Sequence, residues 1–369
     1  MPTSPKSRSP REIPADKRTL APIDSILETD SLTRTSPTRS PDGTRRVRPQ
    51  SETPADLTQS APVPETAPNG LKILKVPNWQ RLGGRQAGWL WHGFSTRKGG
   101  VSRAYAREGA AGDLNLGFTA ADDRDLVLQN RRLLIEAVTG NPGTPLVTLR
   151  QIHSSVLLVG AAEDARQAPR EADGLMSAEP GILLGILTAD CIPVLVADRK
   201  RRVVAAFHAG WRGTVKRIVE AGVGRMRLEF GSQPEDLVAA IGPGIGVCCY
   251  AVGEEVLSSF ESHFSYSRQL FRGVDDTDEV RRKDPVLLLT QRAPAHSPLG
   301  PSLHVDLVEA NRRQLLDAGL SAKSIHRTGG CTSCHRDLFF SHRASQGHAG
   351  RMMSVIGIRP REHTQRGIH

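Results

Sequence analysis

Three residues that can bind a soft metal ion lie at the ends of apolar segments of this 369-residue chain. They are His153 in LRQIHSSVLLV, Cys191 in LTADCIP and His208 in AAFHAGWRGTVKRI. Two imidazoles and one thiolate form a ligand set that zinc accepts, and it leaves a fourth coordination position for water or substrate. A zinc ion held in this way would lower the pKa of a bound water, so the residue types predict an enzyme.

The same residues allow a second chemistry, in which Cys191 is a thiolate nucleophile and His208 is its base. That alternative defines a cysteine hydrolase or deamidase, and it leaves His153 without a role. The ligands are too far apart in sequence to match a zinc-finger spacing, so the spacing does not identify the metal. Asp190 precedes the cysteine and is a candidate acid for proton transfer, and Arg212 follows the second histidine.

Several arginines are candidates for binding an anion. Arg97 lies in TRKGGVS, which we interpret as a turn whose backbone N–H groups and guanidinium could cradle an anion, or else as a plain solvated turn. Arg343 in FFSHRAS and the later Arg351 could bind a carboxylate or phosphate through two hydrogen bonds, or could be ordinary surface residues. The loop GPGIG lacks a phosphate-binding fingerprint, so its glycines predict positive φ and close packing instead.

The segment CTSCH has the C-x-x-C-H spacing of a c-type haem attachment site. We expect no export signal, which disfavours haem, so an accessory redox or metal pair and a purely structural role remain. No second C-x-x-C accompanies the segment, so a four-cysteine zinc site is not predicted. The odd number of cysteines argues against a disulfide framework; they are Cys191, Cys248, Cys249, Cys331 and Cys334.

The composition separates a tail from a globular part. Residues 1–70 contain no aromatic residue and hold twelve of the 25 prolines, which predicts a disordered tail. We expect a single catalytic domain over residues 71–360 and a polar C-terminal tail over residues 361–369. No secretory signal or apolar run long enough to span a membrane is recognised, so we predict a cytoplasmic protein that does not contact membranes.

The net charge of +10 suggests an anionic partner. The basic residues lack interleaved aromatic residues, and no nucleic-acid-binding motif is present, so dedicated nucleic-acid binding is not predicted. Phosphate or another small anionic substrate explains the charge equally well. A non-enzymatic binding protein with a structural zinc is the alternative from a different functional class.

Apolar periodicity predicts helices at Asp122–Val138, at Thr214–Phe230, at Val252–His263 and in HVDLVEANRRQLLDAGL. Short β-branched runs predict strands, and Ser267–Pro301 is expected to be a long loop. The strand segments are GWLWHGFST, LVTLRQIH, SVLLVG, GILLGILT, PVLVAD, RVVAAFH, LVAAIG and RMMSVIGI. Strands outnumber helices and do not alternate strictly with them, which predicts an α/β, α+β-like layered sandwich with mixed β-sheets rather than a doubly wound nucleotide-binding sheet.

Taken together, the motifs resemble the YfiH-like family, long called multicopper polyphenol oxidases or laccase-domain proteins. The resemblance runs from about Trp91 to Ile358. The motifs that carry it, in order, are TRKGGVS, LNLG (with Asn115), RQIHSS, ADGLMS, LTADCIPVLVAD, AAFHAGWRGT, IGPGIGVCCYAVGEEV, HVDL with ANRRQL, and CT with FFSHR and GRM.

The resemblance implies a single α/β domain in which His153, Cys191 and His208 hold zinc. It implies phosphorolysis of adenosine, inosine or guanosine to the base and ribose 1-phosphate, together with methylthioadenosine cleavage and adenosine deamination. Copper is acceptable to the same ligands, but no His-x-His pairs accompany them, so we rank oxidase below phosphorylase. Arg97, Asn115, Arg212 and Arg343 are the expected substrate or phosphate contacts. Two departures from the family pattern are Ala251, where Glu is common, and Ala344, where a second Arg is common.

Overall fold

The computed structural model of the chain describes residues 60–77, 79, 88–106, 111–274 and 302–361. The predicted disordered tail, as far as residue 59, and the predicted C-terminal tail from residue 362 therefore lie outside the described residues, as does most of the predicted loop Ser267–Pro301. Residues 65 and 66 form a strand that pairs with a second strand near Leu71. This paired strand precedes residue 71, where the sequence predicted the folded domain to begin.

The described strands and helices are numbered in chain order. The strands are β1 (Glu65–Thr66), β2 (Lys72–Leu74), β3 (Leu90–Ser95), β4 (Lys98–Ser102), β5 (Leu146–Thr148), β6 (Leu157–Val159), β7 (Gly174–Ser177), β8 (Leu183–Thr188), β9 (Ile192–Asp198), β10 (Val203–Ala209), β11 (Leu237–Ile241), β12 (Phe271–Val274), β13 (Ser302–Val305), β14 (Ile325–Arg327) and β15 (Met352–Ile358). The α-helices are α1 (Arg124–Thr139), α2 (Trp211–Val215), α3 (Ile218–Phe230), α4 (Glu254–Glu261) and α5 (Leu307–Asp317).

Two six-stranded sheets carry most of these strands. The first has the order β1-β2-β3-β15-β8-β5 and the second has the order β14-β11-β9-β10-β7-β6, while β12 and β13 form a separate pair. Both large sheets are mixed: β5 runs parallel to β8, and β11 runs parallel to β14, whereas their other neighbours are mostly antiparallel. The predicted layered fold with mixed sheets is confirmed.

The sheets face each other across a shared apolar core. Leu184 and Ile186 of β8 pack in one cluster with Leu195 of β9 and Ala206 of β10. Helices α3 and α5 cover the outer face of the second sheet, and α1 covers the outer face of the first. Alternation along β10 places Phe207 toward the helices and its even-numbered residues toward the other sheet, so His208 points to the space between the sheets.

The predicted helices are largely confirmed, with two corrections. The helix predicted at Thr214–Phe230 is two helices, α2 and α3, separated at Arg217, which has a left-handed φ of 56°. The helix predicted to include His304 begins at Leu307, because His304 belongs to β13 and Asp306 caps the helix by accepting a hydrogen bond from the Glu309 N–H.

Two further local predictions need correction. The segment TRKGGVS, expected to be a turn, contains strand β4, which is bridged to Asp113. The glycines of GPGIG are not among the described residues with positive φ. They allow close packing instead, since a Cβ atom on Gly244 would lie 2.9 Å from the carbonyl oxygen of Asp190. Within the described part of the chain, no helix is long and apolar enough to cross a membrane.

Candidate metal centre and its cleft

Antiparallel pairing of β9 with β10 brings Cys191 and His208 together. The register pairs Ala209 with Ile192, so Cys191 directly precedes the paired region of one strand while His208 lies near the end of the other. Gly210 continues past β10 beside the cysteine, and a Cβ atom there would lie 2.9 Å from Cys191 Sγ. Because glycine leaves this space open, the thiol can approach the histidines.

His153 reaches the same point from the loop between β5 and β6. Its backbone has a positive φ of 59°, an uncommon conformation for a residue other than glycine. The His153 Nε2 atom lies 3.9 Å from Cys191 Sγ, and its ring centroid is 5.0 Å from that of His208. The three predicted metal-binding side chains therefore converge, with all their ligand atoms within 4.8 Å of one another.

Asp173 holds this arrangement in place. Its side chain is fully buried, and one carboxylate oxygen accepts a 2.8 Å hydrogen bond from His208 Nδ1 and a 3.0 Å bond from the His153 backbone N–H. The other oxygen accepts hydrogen bonds from the backbone N–H and the hydroxyl of Ser154. One carboxylate thus orients the ring of one ligand and the backbone of another, which leaves His208 Nε2 available to a metal.

The charges in this cluster reinforce one another. Burial opposes ionisation of Asp173, but hydrogen bonds from His208 and Ser154 outweigh it and lower the pKa of Asp173 to about 2. Burial likewise opposes the charged forms of the other two residues. Attraction to His208 and a hydrogen bond with His153 nevertheless lower the pKa of Cys191 to about 6. Attraction to Cys191 and the hydrogen bond to Asp173 raise the pKa of His208 to about 9. The fold therefore stabilises the thiolate form that a soft metal ion requires.

The donor set fits a zinc ion. In a tetrahedral site, a thiolate sulfur and an imidazole nitrogen bound to the same zinc are about 3.5 Å apart. The observed 3.9 Å between Cys191 Sγ and His153 Nε2 is close to that separation. A carboxylate bound to the second nitrogen of a ligating histidine is the usual outer partner in such centres. His153, Cys191 and His208 would hold the ion. Its fourth coordination position would face the cleft beside them.

A cleft of about 480 Å³ opens beside the cluster. Residues from distant parts of the chain line it, including the loop after β4 and the segment before β15. Its lining includes three aromatic side chains, Phe118, Trp211 and Tyr250, and three arginines, Arg212, Arg343 and Arg351. Asp190 is the single carboxylate among the described lining residues, so the cleft favours anionic ligands.

The arginines differ in how their guanidinium groups are held. Arg212 is exposed and lies over the ring of Trp211, 4.4 Å from its centroid. Arg343 donates to the carbonyl oxygen of Ala251 and lies over the Tyr250 ring. Arg351 donates through one nitrogen to two neighbouring carbonyl oxygens. Each of these contacts leaves further N–H groups of the guanidinium for a ligand.

Asp190, the predicted acid, lines the cleft beside Cys191, and both of its carboxylate oxygens accept hydrogen bonds. Oδ1 accepts from the Thr332 hydroxyl at 2.6 Å, and Oδ2 accepts from the Arg343 backbone N–H at 2.7 Å. The backbone of Asp190 has a positive φ of 87°. This carboxylate therefore joins the cysteine loop to two later segments of the chain, which favours a positioning role.

Arg97, predicted to bind phosphate, does not line the cleft. Its guanidinium forms an ion pair with Asp113 and donates to the carbonyl oxygens of Tyr105 and Arg336. The structure thus places Arg97 against the carboxylate of Asp113 and away from the other candidate residues, an arrangement in which the side chain braces the fold.

Asn115, the other early candidate, is fully buried and does not line the cleft. Its amide nitrogen donates to Gly117 O and to Asp122 Oδ2, and its oxygen accepts from the backbone N–H groups of Gly117 and Arg351. Because Gly117 and Arg351 do line the cleft, Asn115 shapes the site without contacting its contents.

Sequence reasoning did not assign roles to Asp173, Tyr250 or Phe118. Asp173 lies in the motif ADGLMS, but a lone acid before a strand carries no signal of its partner 35 residues away. Tyr250 and Phe118 follow glycine-containing segments, and nothing local distinguishes them from core aromatics. Their common feature, a position on the cleft wall, exists only in the folded chain.

Two facing mixed sheets and a Cys/His₂ cluster that could hold a metal ion define the class of α/β protein to which this chain belongs. The family described as "multi-copper polyphenol oxidoreductase laccase" matches residues 91–359, and the chain belongs to this family. The match contains all three proposed ligands and the whole described lining of the cleft.

Similar proteins include named enzymes. A purine nucleoside phosphorylase of Deinococcus radiodurans is 37% identical over 304 residues, which cover 82% of this chain and 98% of that protein. A purine nucleoside phosphorylase of Bacteroides thetaiotaomicron is 35% identical over 72% of this chain and 91% of its own length. A protein named adenosine deaminase RL5, from an unknown prokaryotic organism, is 32% identical over 71% of this chain and 92% of its own length.

Solved structures show the same fold. The crystal structure of YlmD from Geobacillus stearothermophilus is 30% identical and superposes with a TM-score of 0.63, covering 81% of this chain and 100% of that chain. Together with the named relatives, this similarity establishes a nucleoside-processing enzyme of this family at the level of class.

Proposed function

We propose that the protein is a zinc-dependent purine nucleoside phosphorylase that also deaminates adenosine. The observation that carries the proposal is the convergence of His153, Cys191 and His208 at a cleft lined by three arginines. The named relatives support the reaction class. Adenosine, inosine, guanosine and methylthioadenosine are the candidate nucleosides, and the cytoplasm is the predicted location.

The arginines are proposed to hold phosphate. Arg212, Arg343 and Arg351 line the cleft, and Asp190, the nearby carboxylate, already accepts two hydrogen bonds. Phosphate held there would form a bond from one of its oxygens to C1′ of the ribose while the bond from C1′ to the base nitrogen breaks. The products are the free base and ribose 1-phosphate, and positioning with charge stabilisation supplies most of the catalysis.

The nucleoside base is proposed to lie against Phe118 or Tyr250. Both aromatic rings line the cleft, and the guanidinium of Arg343 lies 5.2 Å from the centroid of the Tyr250 ring. Zinc at the Cys/His₂ centre would supply Lewis-acid activation of water or of the bound nucleoside. Asp173 keeps His208 in the orientation that this binding requires.

Product analysis tests the proposal. Purified protein of known metal content is incubated with adenosine, with and without phosphate. Adenine and ribose 1-phosphate formed only with phosphate support phosphorolysis, and inosine formed without phosphate supports deamination. If folded, zinc-loaded protein forms neither product from any of the four nucleosides, the proposal is wrong.

The same purified protein distinguishes the proposed phosphorylase from two alternatives, a cysteine hydrolase and a multicopper oxidase. A cysteine hydrolase would keep activity after chelation and in His153→Ala, and it would be inactivated by iodoacetamide in metal-free buffer. A multicopper oxidase needs further histidine clusters, and within the described residues neither candidate metal cluster holds more than two histidines. Oxidation of a polyphenol by the copper-loaded protein, without nucleoside turnover, would favour the oxidase.

The phosphate site has its own test. We expect Arg212→Ala to raise the KM for phosphate about tenfold or more, because it removes a charge-assisted hydrogen bond donor from the cleft. The matched control is Arg225→Ala, an exposed arginine paired with Glu229 on α3. If the KM for phosphate is unchanged in both Arg212→Ala and Arg351→Ala, neither arginine belongs to the phosphate site.

A further inference from the structure

A second cluster of metal-binding side chains lies outside the Cys/His₂ centre. Cys248 and Cys249 follow the loop after β11, and Cys331 and Cys334 belong to the segment before β15. Their sulfur atoms all lie within 4.8 Å of one another. Cys334 Sγ is 3.5 Å from Cys248 Sγ and 3.4 Å from Cys249 Sγ. The CTSCH segment, for which the sequence offered no partner, thus meets the adjacent pair of cysteines.

These separations are those of a single tetrahedral metal ion. Four thiolates around one zinc at about 2.3 Å are about 3.8 Å apart in a tetrahedron. The observed spacing lies around this value, and it is too close for a multi-iron cluster to fit between the sulfurs. Four cysteines supply all four ligands of a tetrahedral ion, which matches the closed donor set of structural zinc sites.

The backbone around the cluster is built for close approach. A Cβ atom on Gly246 would lie 3.1 Å from Cys331 Cβ and 3.2 Å from Cys248 Sγ. A parallel bridge between Gly244 and Cys331 ties the two segments together. Cys248 and Cys331 are buried, whereas Cys334 is exposed and provides access for an ion.

We propose that Cys248, Cys249, Cys331 and Cys334 bind one zinc ion as a structural site distinct from the Cys/His₂ centre. Binding replaces the thiol protons with bonds to the metal, and the protons are released to solvent. The chain therefore carries two zinc ions of different coordination, one ligated by four sulfurs and one by two nitrogens and one sulfur.

The second ion would also brace the cleft. Tyr250, which follows the cysteine pair, lines the cleft, and Thr332, which follows Cys331, donates to Asp190 beside Cys191. The site thus joins two segments that are distant in sequence, since Cys331 follows Cys249 by 82 residues. Crosslinking the segments through a metal fixes Tyr250 and Asp190 in the positions that the cleft requires.

Metal analysis of full-length variants tests the site. The wild type is expected to bind two zinc ions per chain. His153→Ala combined with Cys191→Ala retains the cysteine cluster and is expected to bind one. Cys249→Ala combined with Cys334→Ala, which removes the two less buried sulfurs, is also expected to bind one and to melt at a lower temperature. Combining all four substitutions is expected to remove both ions.

Cobalt substitution in the His153→Ala, Cys191→Ala variant identifies the ligands. Four thiolates predict strong sulfur-to-cobalt charge-transfer bands together with the visible bands of a tetrahedral ion. This readout remains available if removal of the cluster cysteines prevents folding. The proposal is overturned if that folded variant binds no zinc or cobalt. It is also overturned if thiol titration and mass spectrometry find disulfides among the four cysteines, or if the purified protein holds iron there.

Discussion

At the residue scale, the metal centre depends on two features that are not ligands. Asp173 bonds to His208 and to the loop that carries His153, and Gly210 leaves room for Cys191. The ligands alone define the chemistry of the centre, whereas these two residues define its geometry. Substitution of either Asp173 or Gly210 is therefore expected to disturb the centre without removing a ligand.

Asp173→Asn is expected to weaken zinc binding at the Cys/His₂ centre about 10- to 100-fold, because loss of an outer carboxylate typically costs that much. Asparagine keeps the size of the side chain, but its neutral amide lacks the negative charge that strengthens the hydrogen bond from the His208 N–H. Competition with a chromophoric chelator measures the affinity. Glu171→Gln, at an exposed acid paired with Arg150, is the matched control. Equal affinities in the two variants would contradict the assigned role of Asp173.

Gly210→Ala is expected to lower zinc occupancy and activity together. The added Cβ would lie 2.9 Å from Cys191 Sγ and 3.2 Å from His153 Cδ2, so two ligands must move. The backbone φ of −69° suits alanine, which excludes backbone strain as the cause. Gly224→Ala on α3 is the control, since nothing lies within 4 Å of its added Cβ. Zinc content near wild type in Gly210→Ala would refute the steric argument.

At the element scale, loops from both sheets form the cleft, and buried polar side chains connect them. Asn115 joins the loop after β4 to the segment before β15, and Asp190 joins the turn between β8 and β9 to Thr332 and Arg343. Such contacts hold irregular backbone in one conformation, which a cleft made of loops requires.

Asn115→Ala is expected to destabilise the fold by about 1–3 kcal/mol, because it leaves buried backbone groups without partners. It is also expected to raise the KM values for substrates more than it lowers kcat, since Gly117 and Arg351 line the cleft. Urea denaturation and steady-state kinetics measure the two effects. Asn141→Ala, at an exposed asparagine after α1, is the control. Unchanged KM values in Asn115→Ala would show that the loop keeps its shape without this residue.

At the scale of the whole molecule, burial of a neutral histidine makes stability depend on pH. His92 on β3 is buried, and its Nε2 accepts a hydrogen bond from the Val76 N–H. Burial, with a smaller contribution from nearby Lys75, lowers the pKa of His92 to about 3. Below the unfolded-state pKa of about 6.5, the unfolded chain binds a proton that the folded chain excludes, so this residue destabilises the fold as the pH falls.

His92→Gln is therefore expected to flatten the fall in the free energy of unfolding between about pH 5.5 and 4 by roughly 1.4 kcal/mol per pH unit. The amide oxygen of glutamine can accept the Val76 hydrogen bond, so the neutral contact is kept. Urea unfolding at several pH values measures the slope. His263→Gln, at an exposed histidine, is the matched control for the substitution itself. A slope in His92→Gln equal to that of the wild type would show that another group is responsible.

Most local features of this protein could be predicted from the sequence alone. Periodicity located α1 and most strands of both sheets, because burial of one face repeats with the period of each element. The three ligand types at strand ends predicted the metal centre, and the ordered motifs predicted the family, which the comparison confirms. These inferences depend on neighbouring residues or on side-chain chemistry, and both can be read without coordinates.

Contacts between distant segments were decided only by the tertiary structure. Arg97 pairs with Asp113, Asp173 with His208, and the cysteine pair at residues 248 and 249 with Cys334. Each side chain has many possible partners in an extended chain, and local sequence does not select among them. Packing of the two sheets and the course of the loops bring one partner within bonding distance. The residue types therefore indicated which chemistry is available, and the fold decided where it is assembled.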